Sequence, residues 1–343
     1  MIEGVDLPAV WFVLLGLLLA GYAVLDGFDL GVGILHFFAK DDRERRIFLN
    51  AIGPIWDGNE VWLVVFGGAL FAAFPMAYAT LFSGLYLVFM LVLFALIFRA
   101  VSIDFRSKIH SPRWRSFWDF GFFFASFIAT FLFGVGVGNM MIGVPLDDRG
   151  VFIGRFLDLL NPYALLVGAL TLAMLAMHGA IYLFLKTPPG RLQVRLRSMM
   201  WHTWGIFLVL YLLTTIYTLI RIPRAVANFE HPPWAAGIVV LSVFLIANIP
   251  RSIYRRKYFI AFFSSSFTIT SLVSLFGIAL WPNLVTASNN PAFSLTVYDA
   301  ASSEATLKTM LIFVLVGMPF VLAYTGIVYW TFRGKVEVPE EGY

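Results

Sequence analysis

The chain contains no cysteine, which excludes disulfides, thiolate metal sites, iron–sulfur clusters and cysteine nucleophiles. Charge is also scarce. Asp, Glu, Lys and Arg make up 13% of the 343 residues, about half the share carried by a soluble globular domain. No Gly-rich phosphate loop follows a strand, and the basic residues fall between apolar runs, so nucleotide and nucleic-acid binding find no support. What is abundant is apolar surface: 60% of residues are hydrophobic, and there are 36 phenylalanines.

Long apolar runs recur from Pro8 to Phe332, each close to the roughly 20 residues needed to cross a hydrocarbon core. They predict an all-α integral membrane protein with about nine transmembrane helices, over residues 8–38, 48–74, 77–102, 117–142, 162–185, 201–222, 234–249, 258–281 and 307–332. The first run lacks a basic start, is longer than the 7–15 residues of a signal core, and carries Asp26 and Asp29. It reads as a retained helix rather than a cleaved signal. The seventh is short, stopping before Pro250 and Arg251, although Tyr254 would extend it to the interface. Between the sixth and seventh lies a short loop, about residues 223–233.

Basic loops resist translocation, and here 19 of the 24 Lys and Arg residues fall on one side, in loops after odd-numbered segments and in the tail, with Arg99 near the same side. Only Arg149, Arg155, Arg221, Arg224 and Lys308 fall opposite. The expected topology puts the N-terminus outside and the C-terminus in the cytoplasm. Most tryptophans sit near segment ends, as amphipathic rings favour the headgroup level. Trp56 and Trp62 do not; they flank an acidic pair in the second segment.

Ionisable groups at the centre of a membrane helix cost about 2.5–3.5 kcal/mol each on insertion scales, so they need partners, water or protonation. Asp26 and Asp29 are three apart, as are Asp57 and Glu60, and each pair shares a helix face. Asp29 and Asp57 each lie about nine residues from the cytoplasmic end of their segment, a depth of roughly 14 Å. They are expected to face each other, with Gly27 and Gly31 letting the two helices approach closely. Four clustered carboxylates cannot all be charged in a medium of low dielectric, so shared protons follow. The functional reading is a path for cytoplasmic protons, with Asp104 and Asp119 as uptake groups. The competing structural reading is that Asn59, Trp56 or a loop arginine satisfies these acids, or that they cap irregular turns.

His178, beside Met174 and Met177 in the fifth segment, is the one histidine placed to ligate a transmembrane heme. No second mid-membrane histidine accompanies it, so a buried polar helix contact is the stronger reading. His36 and His202 sit at segment ends, and His110 and His231 in loops. No catalytic residue and no metal site is expected in this chain. The phenylalanine surface serves packing and lipid, and is also suited to a quinone tail.

The segments GYAVLDGFDLGVGIL (residues 21–35) and NAIGPIWDGNEVWLVVFGGALFAAFPMAYA (residues 50–79) resemble the signature regions of subunit II of cytochrome bd-type quinol oxidases. FRAVSIDFRSK, RWRSFWDFGFF, GVGVGNMMIGVP, LNPYALLVG and LTVYDAASSEATLKTM extend the likeness over most of the chain. The resemblance implies a single transmembrane domain, residues 1–343, made of two four-helix bundles (about 8–142 and 162–281) and a peripheral helix (about 307–332). It also implies a bacterial or archaeal cytoplasmic membrane. The partner would be a heme-bearing subunit I that carries hemes b and d and oxidises quinol, with this chain free of heme. A small single-helix accessory subunit, membrane lipids and a structural quinone are further candidate associates. The matching carboxylates, which in the family help conduct protons toward the oxygen-reducing heme, are Asp29, Asp57 and Asp104, with Asp26, Trp56, Asn59 and Glu60 beside them. The alternative is an independent proton-coupled transporter. That would call for inverted repeats or discontinuous helices around a midplane site, and neither is evident in the sequence.

Overall fold

The computed structural model describes residues 4–229 and 233–337; His231 lies outside them. The helices are α1 (Leu7–His36), α2 (Asp42–Ile52), α3 (Trp56–Ala73), α4 (Pro75–Gly84), α5 (Tyr86–Phe105) and α6 (Pro112–Ile142). They continue as α7 (Pro162–Lys186), α8 (Arg191–Arg221), α9 (Arg224–Ala227), α10 (Pro233–Tyr254), α11 (Tyr258–Leu280) and α12 (Glu304–Thr331). Among the described residues, eight helices are long and apolar enough to cross a membrane. The polar opening of α3, Trp56–Asp57–Gly58–Asn59–Glu60, keeps it out of that group by composition.

Two expected segments are interrupted. Residues 48–74 do not form one helix, because Pro54 supplies no backbone donor and restricts the residue before it. The chain turns at Gly53–Pro54–Ile55 into α3. The last helical bond of α2 is Gly53 N–H to Leu49 O at 2.7 Å, and beyond it the Tyr182 hydroxyl of α7 donates to the Ala51 carbonyl at 2.7 Å. Residues 77–102 are likewise divided at Leu85, where the Phe152 side chain lies against Gly84. Conversely, α10 runs through Pro250 to Tyr254, past the expected stop. α2 buries Ile47, Phe48, Leu49, Ala51 and Ile52 in its second half, while its charged residues, Asp42 to Arg46, fill the first half and include the buried Glu44.

Helices α1 and α7 are central. α1 packs on α3, α6, α7 and α11, and α7 packs on α6, α8 and α11; α12 packs mainly along α1 and α3. The α1–α7 crossing is set by glycine. A Cβ on Gly31 would lie 2.0 Å from the Leu175 carbonyl oxygen and 2.9 Å from Gly179 Cα. The Gly27/Gly31 face therefore seats α1 on α7, not on the helix that carries Asp57 as the sequence predicts. On the far side from α2, a two-stranded antiparallel ribbon, β1 (Asn283–Val285) and β2 (Leu295–Thr296), covers the helix ends.

Candidate functional site

An acid cluster lies where α1 packs on α3, reached from α5 by the Arg99 side chain. Asp26 and Asp29 have 0% relative exposure and Arg99 has 1%. Arg99 comes from the last third of α5, and its Nη2 donates to Asp26 Oδ1 at 2.6 Å and also to Glu60 Oε1. Asn59 faces Asp29: its Nδ2 donates to Asp29 Oδ2 at 2.7 Å and to the Leu25 carbonyl at 3.2 Å. Its Oδ1 accepts from the Tyr329 hydroxyl of α12 at 2.9 Å. Tyr22 lies one turn before Asp26 on α1, buried beside the same carboxylate.

The cluster is not saturated. Asp26 Oδ2, Asp29 Oδ1, the Tyr22 hydroxyl and Arg99 Nε and Nη1 are buried without a hydrogen-bond partner among the described residues. Buried polar groups are rarely left so unless water or a transferable proton serves them. Among the described residues one cation, Arg99, is paired within this group of three acids, and a medium of low dielectric disfavours leaving all three charged. Phe28, stacked on Tyr182 at 4.0 Å and edge-on to Tyr329 at 6.5 Å, walls the cluster with rings, which strengthens every charge interaction inside it.

Three of the four expected seam carboxylates therefore meet, and Asp57 does not join them. Asp57 is exposed, with no hydrogen bond or ion pair among the described residues. The cause is helical rotation: each residue advances about 100°, so when Asn59 faces α1, Asp57 points almost directly away and Glu60 lies between them. Asp57 occupies the first turn of α3, where a carboxylate complements unpaired N–H groups. Trp56 is half-buried against the large core around α2 and α7.

The expected uptake acids also separate. Asp104 is exposed in the last turn of α5. Asp119 is buried, and its carboxylate is fully engaged: His36 Nε2 lies at 2.7 Å, Arg106 Nε at 2.6 Å and Arg45 Nη1 at 3.1 Å. Arg106 reaches on to Asp42 at 2.7 Å. Burial works against the Arg106 charge, but the bonds to Asp119 and Asp42 outweigh it and hold its pKa above the ordinary guanidinium value. This network pins α2 to α1, α5 and α6.

Sequence reasoning missed Arg99, which it counted as one more interfacial charge. The available signal was its place inside the apolar run 77–102, where a cation needs an acid. Tyr22 and Tyr329 carried no signal, since tyrosine in an apolar run reads as packing. His178 does not fit a heme ligand: Nδ1 lies 2.7 Å from Ser265 Oγ and Nε2 lies 3.1 Å from the Val24 carbonyl, so both ring nitrogens are already engaged. Of the other histidines, His202 bonds the Ser198 carbonyl of its own helix at 2.8 Å, and His110 is exposed. Among the described residues, no group of three or more potential ligands is placed to hold a metal.

The family model described as Cytochrome bd terminal oxidase subunit II matches residues 7–332. The chain is 38% identical to "Cytochrome bd-I ubiquinol oxidase subunit 2" of Escherichia coli strain K12, covering 98% of this chain and 97% of that one. It is 34% identical to "Cytochrome bd ubiquinol oxidase subunit 2" of Bacillus subtilis, covering 98% of each. The fold matches a chain of the bd oxidase of Geobacillus thermodenitrificans with a TM-score of 0.80, covering 96% of this chain and 99% of that one at 17% identity.

Proposed function

Because the chain belongs to the cytochrome bd terminal oxidase subunit II family, and so is a subunit of a terminal quinol oxidase complex, we propose that its own part is to hold and pass protons through the Asp26–Asp29–Glu60–Arg99 cluster. The observation that carries this reading is two carboxylates, Asp26 and Glu60, on one guanidinium inside the helix bundle, with a third, the fully buried Asp29, three residues from Asp26 and held by Asn59. Asp26 Oδ2 and Asp29 Oδ1 have no hydrogen-bond partner among the described residues, which leaves each an open position for water or a proton.

In this reading the chain is heme-free and stabilises a heme-bearing subunit I, whose hemes b and d supply the redox chemistry and whose oxygen-reducing heme receives the protons. Asp29 and Asp26 hold protons between Asn59 and Arg99, and half-buried Glu60 links the cluster to the surface. Asp57, exposed on the face α3 turns away from α1, is a proton-path residue outside the buried cluster, placed to pass protons on toward the partner. Asp104 is the cytoplasmic uptake group, and the Asp119 network keeps the inner helix ends in place around it. The N-terminus lies outside and the C-terminus in the cytoplasm. A single-helix accessory subunit would bind on exposed helix faces. A lipid or quinone chain would fit the apolar crevice of about 330 Å³ lined by Trp11, Trp62, Val65, Met310 and Phe313.

The transporter reading gains one feature, the break at Gly53–Ile55. Copurification separates the two: a chain that purifies without a heme protein and moves a solute in vesicles would overturn the oxidase role. Within the complex, Asp29→Asn and Asp57→Asn should each lower quinol-driven oxygen consumption by more than about tenfold while the heme spectrum stays intact. Wild-type turnover in Asp29→Asn would remove the cluster from the path.

A further inference from the structure

His178 lies on α7 beside the acid cluster, yet it bonds to none of the acids. It is fully buried, with Phe262 stacked on its ring at 4.9 Å and Phe28 edge-on at 5.9 Å. Its Nε2 lies 3.1 Å from the Val24 carbonyl of α1, and its Nδ1 lies 2.7 Å from Ser265 Oγ of α11. A carbonyl only accepts, so Nε2 carries the hydrogen, and Ser265 completes a neutral imidazole by donating to Nδ1. Ser265 has an alternative acceptor in the Phe262 carbonyl at 2.8 Å, but Ser266 already donates there at 3.0 Å. Ser265 can therefore turn to the ring without leaving that oxygen bare.

Val24 and Leu25 are successive carbonyls of α1. Each takes a side-chain bond from a different helix: His178 of α7 on the first, and Asn59 of α3 at 3.2 Å on the second. Their helical donors are the N–H groups of Phe28 and Asp29, so the two struts bear on the turn that carries Asp26 and Asp29. Successive carbonyls are about 100° apart around the axis. Holding both fixes the rotation of this turn as well as its height. The imidazole reaches the α1 backbone because Gly179, the next residue, lies in direct contact with Gly31.

We propose that His178 is a positioning residue for proton handling: fixed in one tautomer by Ser265, it holds the Val24 carbonyl and so sets the rotation of α1 that points Asp26 at Arg99 and Asp29 at Asn59. This rests on the reading of those acids as proton carriers. The groups facing the turn are Tyr22, Asn59, Glu60, Arg99, Tyr182 and Tyr329, and none of them duplicates the His178 bond.

The test uses the purified complex with its partner subunit. Quinol-driven oxygen consumption, the visible heme spectrum and the carboxyl band in redox-difference infrared spectra are measured together, and the band is assigned by its loss in Asp29→Asn. His178→Leu should lower turnover about three- to tenfold, the scale of one lost buried hydrogen bond, and shift the carboxyl band with the heme spectrum intact. His178→Gln, whose amide can still donate to Val24, should restore both, and Ser265→Ala should give a smaller shift. An unchanged band and turnover in His178→Leu while Asp29→Asn abolishes turnover would overturn the proposal, as would His178→Gln behaving like His178→Leu. If His178→Leu fails to assemble, Ser265→Ala decides, and an unshifted band there counts against the proposal. Wild-type turnover in Asp29→Asn would instead remove the reading on which it rests.

Discussion

The side-chain amide of Asn59 is oriented by chemistry at its contact with Asp29: its nitrogen lies 2.7 Å from Asp29 Oδ2 and 3.2 Å from the Leu25 carbonyl, leaving its oxygen for the Tyr329 hydroxyl at 2.9 Å. Leu25 O can only accept, so the amide cannot be reversed. One uncharged residue thereby joins α1, α3 and α12.

Asn59→Asp is nearly isosteric but places a second carboxylate against Asp29 and a carbonyl. We expect it to lower the thermal stability of the complex by more than Asn59→Ala does, by roughly 2–4 kcal/mol through two facing acceptors with no donor. Calorimetry or fluorescence-detected melting of the two variants checks the order. Equal losses would show that the amide nitrogen does not determine the contact.

Arg99 is the only cation bonded to Asp26 or Glu60 among the described residues. Arg99→Leu should cost about 3–5 kcal/mol by leaving a buried acid unpaired, read as a fall in melting temperature or in yield of assembled complex. Adding Asp26→Asn to Arg99→Leu should recover part of the loss. Arg99→Lys keeps the charge but not the forked donor geometry and should fall between wild type and Arg99→Leu. If the double variant is no better than Arg99→Leu, charge burial is not the cause.

Gly31→Ala drives a methyl group into the backbone of α7, with its Cβ 2.0 Å from the Leu175 oxygen. Overpacking of this kind costs about 1–3 kcal/mol or more. Gly16→Ala on the same helix has no neighbour within 4 Å and should be neutral or stabilising by up to about 1 kcal/mol. Parallel melts of the two variants separate close packing from a general intolerance of α1 to substitution.

Asp119→Ala removes the common acceptor of His36, Arg45 and Arg106, and should cost roughly 3 kcal/mol. Asp42, whose side chain is 46% exposed, should cost less than about 1 kcal/mol when changed to alanine. Comparing melts of the two variants tests whether Asp119 is the anchor of the network. Equal costs would reject that role.

The membrane helices and the Asp26/Asp29 pair were legible because both depend on local pattern. A long apolar run has to be a backbone-satisfied helix in lipid, and residues three apart share a helix face wherever that helix packs. The interruptions at Gly53–Ile55 and Leu85 were less visible, since proline and glycine are common in membrane helices. At Pro250 the same residue type left the helix unbroken. Which helix received the Gly27/Gly31 face was not legible, because a small-residue stripe states that something approaches but not what.

By itself the amino-acid sequence determined that this chain is a helical membrane protein of one recognisable family and that acids lie deep within it, since hydropathy and motif are properties of the chain in order. Only the tertiary structure decided that Asn59, not Asp57, meets Asp29, that Arg99 is the cation at the centre, and that His178 bears on α1. Those outcomes turn on the rotation of each helix about its axis. That rotation is fixed by packing between residues far apart in sequence, such as Gly31 and Gly179, and local periodicity cannot specify it.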